Sequence, residues 1–150
     1  PQLPVTEQAI RSALPRLRLR GRFERIGRVI LDVAHNAEAA AELAEHLRQA
    51  GLEGCVRLVL GMLSDKPVEE FVAKLAPLCS KVYLGSLPGP RGLSAEQLAR
   101  RIATSGLAFE IHADIASAFA RAQREASVEE VIVVTGSFLS VAAIAEQLHE

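Results

Sequence analysis

Short apolar runs alternate with stretches of helical period along most of this chain, and that alternation limits its fold more than any single motif. Residues 29–33, 56–60, 81–84, 107–111 and 131–134 read as strands. After each comes a polar turn, and then a segment whose apolar side chains recur every three or four positions. Ala40, Leu43, Ala44 and Leu47 make one such stripe; Val141, Ile144, Ala145 and Leu148 make another. Strands joined through helices pair in parallel, because a crossover of that length cannot close a tight hairpin. The expected fold class is α/β: a Rossmann-like, doubly wound, mostly parallel sheet of about six strands with helices on both faces. The start is the exception. Residues 22–26 alternate like a short strand, and Gly27 can turn them straight into 29–33, so the first strand is expected to be antiparallel.

The punctuation agrees with that reading. Asn36 suits the N-cap of the helix after the first parallel strand, and Gly51 suits its C′ position. Pro67 fits the first turn of a helix over 67–78. Ser94-Ala-Glu-Gln97 is a capping box, and Asp114 caps a helix to about residue 124. A further short helix is predicted over 6–14, opened by Thr6 and ended by Pro15. The basic stretch Arg11, Arg16, Arg18, Arg20, Arg22, Arg25 and Arg28 offers a nucleic-acid arm as one reading and a solvated linker as the other. Seventeen basic against eighteen acidic side chains leave a net charge of -1, which favours the linker and no nucleic-acid partner. Residues 1–20 are therefore read as a linker and helix from a preceding domain, and 21–150 as the domain itself. The chain starts at Pro1 rather than Met, which reads as a piece of something longer. Cys55 and Cys79 lack metal spacing and read as buried thiols of a cytoplasmic protein. No run reaches the roughly 20 apolar residues of a membrane span.

In a parallel sheet the strand exits share one edge, where ligands bind. The exits here carry Asp32, His35 and Asn36; Ser64, Asp65 and Lys66; Arg91; and Thr135 and Ser137. Plainer roles stand beside each functional one. Asp32 suits accepting hydrogen bonds from a neighbouring loop, His35 suits a partly buried turn, Asn36 and Ser137 are good caps, and Arg91 suits loop carbonyls. His46, His112 and His149 read as surface residues. The chain has no G-x-x-x-x-G-K-[ST] phosphate loop, no G-x-G-x-x-G, no H-E-x-x-H, no G-x-S-x-G elbow and no cysteine cluster. An anion-friendly edge without a phosphate loop holds only part of a nucleotide.

Five motifs then stand in order and register: Gly21-Arg22-Phe23-Glu24, Leu31-Asp32-Val33-Ala34-His35-Asn36, Gly61-Met62-Leu63-Ser64-Asp65-Lys66, Gly89-Pro90-Arg91-Gly92 and Gly136-Ser137-Phe138. Together they resemble the C-terminal domain of folylpolyglutamate synthase, in the bacterial form that is also a dihydrofolate synthase, within the Mur ligase superfamily. The resemblance runs from about Gly21 onward. It departs at Ala37 and Arg20, where the family usually has proline, and at Leu139, where it often has histidine.

This resemblance implies an ATP-dependent amide ligase acting through an acyl phosphate. L-glutamate and dihydropteroate or folates would be its substrates. The phosphate loop and Mg2+ ligands would belong to its own N-terminal domain, so this chain would hold no self-contained catalytic centre and no metal ligands. By position, Arg22 and Asp32 would bind ATP, and His35, Asn36 and Ser137 would lie on the glutamate side. A Mur-type peptidoglycan ligase domain and a stand-alone nucleotide- or anion-binding module are the alternatives.

Overall fold

The computed structural model describes residues 21–149; the helix predicted over 6–14 and the basic residues before Gly21 lie outside the described residues. From Gly21 the chain runs β1 (Glu24–Ile26), β2 (Val29–Leu31), α1 (Ala37–Gln49), β3 (Val56–Leu60) and α2 (Val68–Leu75). A single 3-10 turn (Ala76–Leu78) leads into β4 (Cys79–Gly85). The rest is α3 (Ala95–Ile102), β5 (Phe109–His112), α4 (Ile115–Glu125), β6 (Val131–Thr135) and α5 (Phe138–Leu148). The six strands form one sheet in the order β1-β2-β6-β3-β4-β5. Only β1 is antiparallel, as expected.

Pleating sends alternate residues of each strand to opposite faces, and here both faces are covered. Val131 and Val133 of β6 point into the core beneath α1, α2 and α3, with Ile30, Leu58, Leu60 and Val82. Their neighbours Ile132 and Val134 point into the other core, beneath α4 and α5, with Leu31, Val59 and Tyr83. This two-sided burial explains why β6 is apolar at every position before Thr135.

Caps hold the helices where their sequences place them. Asn36 Oδ1 accepts from Ala39 N at 2.8 Å. At the other end of α1, Gly51 (φ 73°) and Leu52 donate to the carbonyls of Arg48 and Leu47, a Schellman ending sealed by the buried Leu47 and Leu52. The capping box at Ser94 and Gln97 forms with both bonds present, and Asp114 accepts from Ser117 N at 2.8 Å.

Several expected boundaries shift: β2 runs Val29–Leu31 rather than 29–33, β4 Cys79–Gly85 rather than 81–84, and β5 Phe109–His112 rather than 107–111. Arg22 and Phe23 fall outside β1, because Phe23 takes a left-handed conformation (φ 42°) that a strand cannot hold. The helix expected to reach residue 78 ends at Leu75, since Pro77 has no N–H to extend the ladder. No helix among the described residues is long and apolar enough to cross a membrane.

Candidate functional site

The order of strands puts β6 between β2 and β3, so α1 leaves β2 toward one face while α5 leaves β6 toward the other. A crevice opens where such neighbours part company. Backbone bonds lace its floor: Asp32 N donates to Val134 O at 3.0 Å, and Gly136 N to Ala34 O at 3.0 Å. The buried Ser140 hydroxyl donates to Gly61 O at 2.8 Å, tying the β3 exit to α5.

One cleft of about 430 Å³ lies on the α1 side of this floor, lined by Arg22, Phe23, Asp32, His35, Asn36, Glu42, His46 and Phe138, among others. Asp32 is half-buried and already employed. Its Oδ2 accepts from Phe23 N at 2.9 Å and its Oδ1 from Ala34 N at 2.8 Å. The bond to Phe23 stabilises that residue's left-handed turn and so presents the exposed Arg22 at the cleft. Burial raises the Asp32 carboxyl above its ordinary value. The two backbone N–H bonds and the charges of His46 and Arg22 oppose that shift and do not cancel it. A carboxylate oxygen has two lone pairs, so each Asp32 oxygen keeps one for a ligand. The plain role and the functional one are compatible here.

A second cleft of about 250 Å³ adjoins the first and is lined by His35, Leu63, Lys66, Arg91, Gly136, Ser137 and Phe138. His35 and Phe138 border both clefts, their ring centroids 6.4 Å apart. His35 Nδ1 lies 3.0 Å from Val33 O. A carbonyl only accepts, so we place the ring proton on Nδ1, which leaves Nε2 with a lone pair when the ring is neutral. Ser137 is buried and caps α5, its Oγ accepting from Leu139 N at 3.1 Å. Phe138, the next residue, is 66% exposed. Arg91 pairs with Asp65 at 2.8 Å, and Lys66 Nζ lies 3.8 Å from the same carboxylate. One acid facing two cations leaves the cleft with excess positive charge.

All five residues singled out in the sequence therefore border this pair of clefts: Arg22, Asp32, His35 and Asn36 on the first, His35 and Ser137 on the second. Arg91 does more than satisfy loop carbonyls, since its side chain reaches Asp65. Sequence reasoning missed Phe23, Glu42, His46 and Phe138 as lining residues, whereas Lys66 and Arg91, read at the strand-exit edge, do line the second cleft. His46 was read as surface. It is exposed, but it packs edge-on against Phe23 at 5.3 Å and faces the first cleft. The helical spacing Ala39, Glu42, Leu43, His46 was the available signal, because it continues the face that starts at Asn36.

His112 was likewise read as surface, yet its Nε2 is buried beside Tyr83 and Glu110. His149 is exposed and bonds Glu24 at 3.0 Å. Cys55 and Cys79, expected to be buried, are both half-buried, and the Cys79 thiol is pushed up to about 12 by desolvation. Among the described residues no group of three or more His, Cys, Asp or Glu is placed to hold a metal ion.

The paired clefts sit at the strand exits of a doubly wound α/β domain, and residues 21–138 match the family described as Mur ligase, glutamate ligase domain. The chain belongs to that family. It is 37% identical over 147 residues to the dihydrofolate synthase/folylpolyglutamate synthase of Escherichia coli (strain K12), covering 96% of this chain and 34% of that protein. The Yersinia pestis folylpolyglutamate synthase/dihydrofolate synthase, solved with AMPPNP and Mn ion, superposes with a TM-score of 0.82 at 38% identity, covering 99% of this chain and 36% of that one. The E. coli enzyme in complex with DHPP and ADP gives a TM-score of 0.82 at 35% identity, over 98% of this chain and 36% of that one. The chain thus spans about a third of the length of the relatives it matches.

Proposed function

We propose that this chain is the C-terminal domain of an ATP-dependent ligase that adds L-glutamate to dihydropteroate, to folates, or to both. The observation that carries this reading is the pair of clefts meeting at His35 and Phe138, one edged by Arg22 and Asp32 and the other by Lys66, Arg91 and Ser137. Residues 21–150 form the domain, and residues 1–20 link it to a preceding one. ATP transfers its γ-phosphoryl group to the pterin-linked carboxylate, giving an acyl phosphate and ADP. The amine of glutamate attacks the acyl carbon, the tetrahedral intermediate expels phosphate, and an amide bond remains. Catalysis of this kind rests on positioning and charge neutralisation.

Within that scheme the first cleft receives part of the nucleotide. Arg22 presents a fork of donors suited to phosphate oxygens, and the spare lone pairs of Asp32 suit hydroxyl or amino donors. The second cleft receives glutamate, whose carboxylates meet Lys66, Arg91 and the amide end of α5 beyond Ser137. Asn36 holds the start of α1 beside His35. The neutral Nε2 of His35 is suited to take the proton that the glutamate ammonium sheds before attack. In this reading the divalent ion that accompanies the nucleotide takes its ligands, like the phosphate loop, from the preceding domain.

The test is a ligation assay on the full enzyme with dihydropteroate, a folate and a UDP-muramoyl acceptor, each with ATP and L-glutamate. Turnover of the pterin acceptors supports the reading, and turnover of the muramoyl acceptor alone replaces it with a peptidoglycan ligase. Robust ligation by residues 1–150 alone would overturn the division of labour between domains.

A further inference from the structure

Lys66 enters the second cleft from the loop between β3 and α2, which belongs to no regular element. Something must therefore fix it. On the cleft side Ser64 N donates to Arg91 O at 2.7 Å, and Lys66 N to Leu63 O at 3.2 Å. On the rear side the tie comes from α3. Arg101 donates from Nε to Glu69 Oε1 and from Nη2 to Glu69 Oε2, both at 2.8 Å. The same Nη2 also donates to the carbonyl oxygen of Lys66 at 3.1 Å. That oxygen takes a second bond from Val68 N at 2.9 Å, so both of its lone pairs are engaged and the peptide plane at Lys66 is held.

Arg101 itself borders neither cleft. It borders a separate groove with Val72, Ala76 and Ile102. Its guanidinium nonetheless joins three parts of the fold: α3, the first turn of α2 through Glu69, and the backbone of the loop that carries Lys66. Lysine has a long stem with four rotatable bonds, and the point from which that stem leaves the backbone sets where the ammonium can reach. Displacement of a binding group by about 1 Å is enough to weaken a site markedly.

We propose that Arg101 is a positioning residue that sets the affinity for the incoming amino acid by fixing Lys66. The inference rests on reading the second cleft as the glutamate subsite. Arg101 touches no substrate; its fork holds the loop, and the loop aims the lysine. A plain staple between α2 and α3 would lower thermal stability and leave the kinetic constants for glutamate alone.

The experiment measures KM and kcat for L-glutamate and for ATP in the full ligase. The variants are Lys66→Met, Arg101→Met, Arg101→Lys and the Lys66→Met/Arg101→Met double, with melting temperatures recorded for each. Arg101→Met is expected to raise KM for glutamate about tenfold, the scale of one lost charge-assisted bond, with kcat and KM for ATP little changed. Arg101→Lys should recover only part of this, because one ammonium cannot span both Glu69 oxygens and the Lys66 carbonyl. The double variant should be no worse than Lys66→Met.

An unchanged glutamate KM in Arg101→Met, while Lys66→Met raises it, overturns the positioning role and leaves the subsite reading intact. An unchanged glutamate KM in Lys66→Met overturns the subsite reading, and the role proposed for Arg101 with it. A full further tenfold loss in the double variant also overturns the proposal, since Arg101 would then act independently of Lys66. Should Arg101→Met fail to fold, Glu69→Gln serves in its place: it weakens the same fork, and its glutamate KM must rise by several-fold.

Discussion

A β-carbon at Gly136 would clash with the Gly61 carbonyl oxygen, well inside van der Waals contact distance. The exits of β6 and β3 therefore touch backbone to backbone, with no side chain between them. Gly136 also holds φ at 107°, a region L-residues rarely adopt. The oxygen it crowds already accepts from Ser140, so it cannot move aside without breaking a buried bond. Gly136 is thus the hinge pin of the crevice: it lets Ser137 and Phe138 leave the sheet at the right height.

Gly136→Ala should cost about 2–4 kcal/mol, combining backbone strain with an overpacked contact. Urea unfolding of the domain checks this. A loss below about 0.5 kcal/mol would show that the loop has room to relax.

Arg22 is exposed, and among the described residues no side-chain hydrogen bond ties it to the fold, so Arg22→Ala should leave stability within about 0.5 kcal/mol of the parent. Its effect should appear in nucleotide binding, with affinity for ADP about tenfold weaker by calorimetric titration of the full ligase. Unchanged ADP affinity would remove Arg22 from the site.

Phe138 is the most exposed aromatic side chain named here, and a ring in water gains the fold little. Phe138→Ala should unfold at nearly the parent denaturant concentration yet lower kcat/KM for ligation about tenfold, the loss expected for a side chain that packs only against bound reactants. Parallel stability and activity curves for the two proteins decide the matter. Equal activity would mean the ring covers nothing during turnover.

Far from the clefts, Arg57 pairs with Glu130 and bonds Tyr83, while Glu125 accepts from Tyr83 at 2.6 Å and Lys81 at 3.0 Å. Glu110 pairs with Lys81 beside them. The Arg57 guanidinium holds the Glu130 carboxyl down to about 2. Tyr83 and then Lys81 do the same for Glu125. A carboxyl whose folded value lies below its unfolded one contributes stability above the unfolded value and loses it as pH falls toward the folded one. The window runs from about 4.5, the ordinary glutamate value, down to about 2. Unfolding free energy should therefore drop across that interval, and Glu130→Gln should flatten the drop. An equally steep decline in the variant would place the acid sensitivity elsewhere.

The periodicity of the chain made its architecture legible for a physical reason. Strands buried on both faces must be apolar throughout, and helices buried on one face must repeat, so 131–134 and the Ala40–Leu47 stripe each had one sensible reading. The caps were legible too, since Asn36, Ser94 and Asp114 each supply an acceptor for a free backbone N–H of the helix they open. Phe23 was not legible, because its left-handed turn depends on Asp32 nine residues away. Lys66 and Phe138 were in plain view as motif members, but their place on a shared wall comes from β6 lying between β2 and β3. His112 was misjudged because edge strand β5 leans its polar face under α4 instead of into water. Local pattern finds elements, while the clefts arise from non-neighbours.

The position of β6 has a consequence for how the molecule is made. It is the last strand in the sequence and it sits in the middle of the sheet. Until that strand is present, β2 and β3 each keep a bare inner edge, because β6 is the neighbour that pairs with both. Bare edges recruit strands from other chains. A molecule cut short before residue 131 would lose Phe138 from the wall the two clefts share and Gly136 and Ser137 from the second, and it would carry two adhesive seams. In this fold, completeness of the chain and competence of the site are tested by the same closing strand.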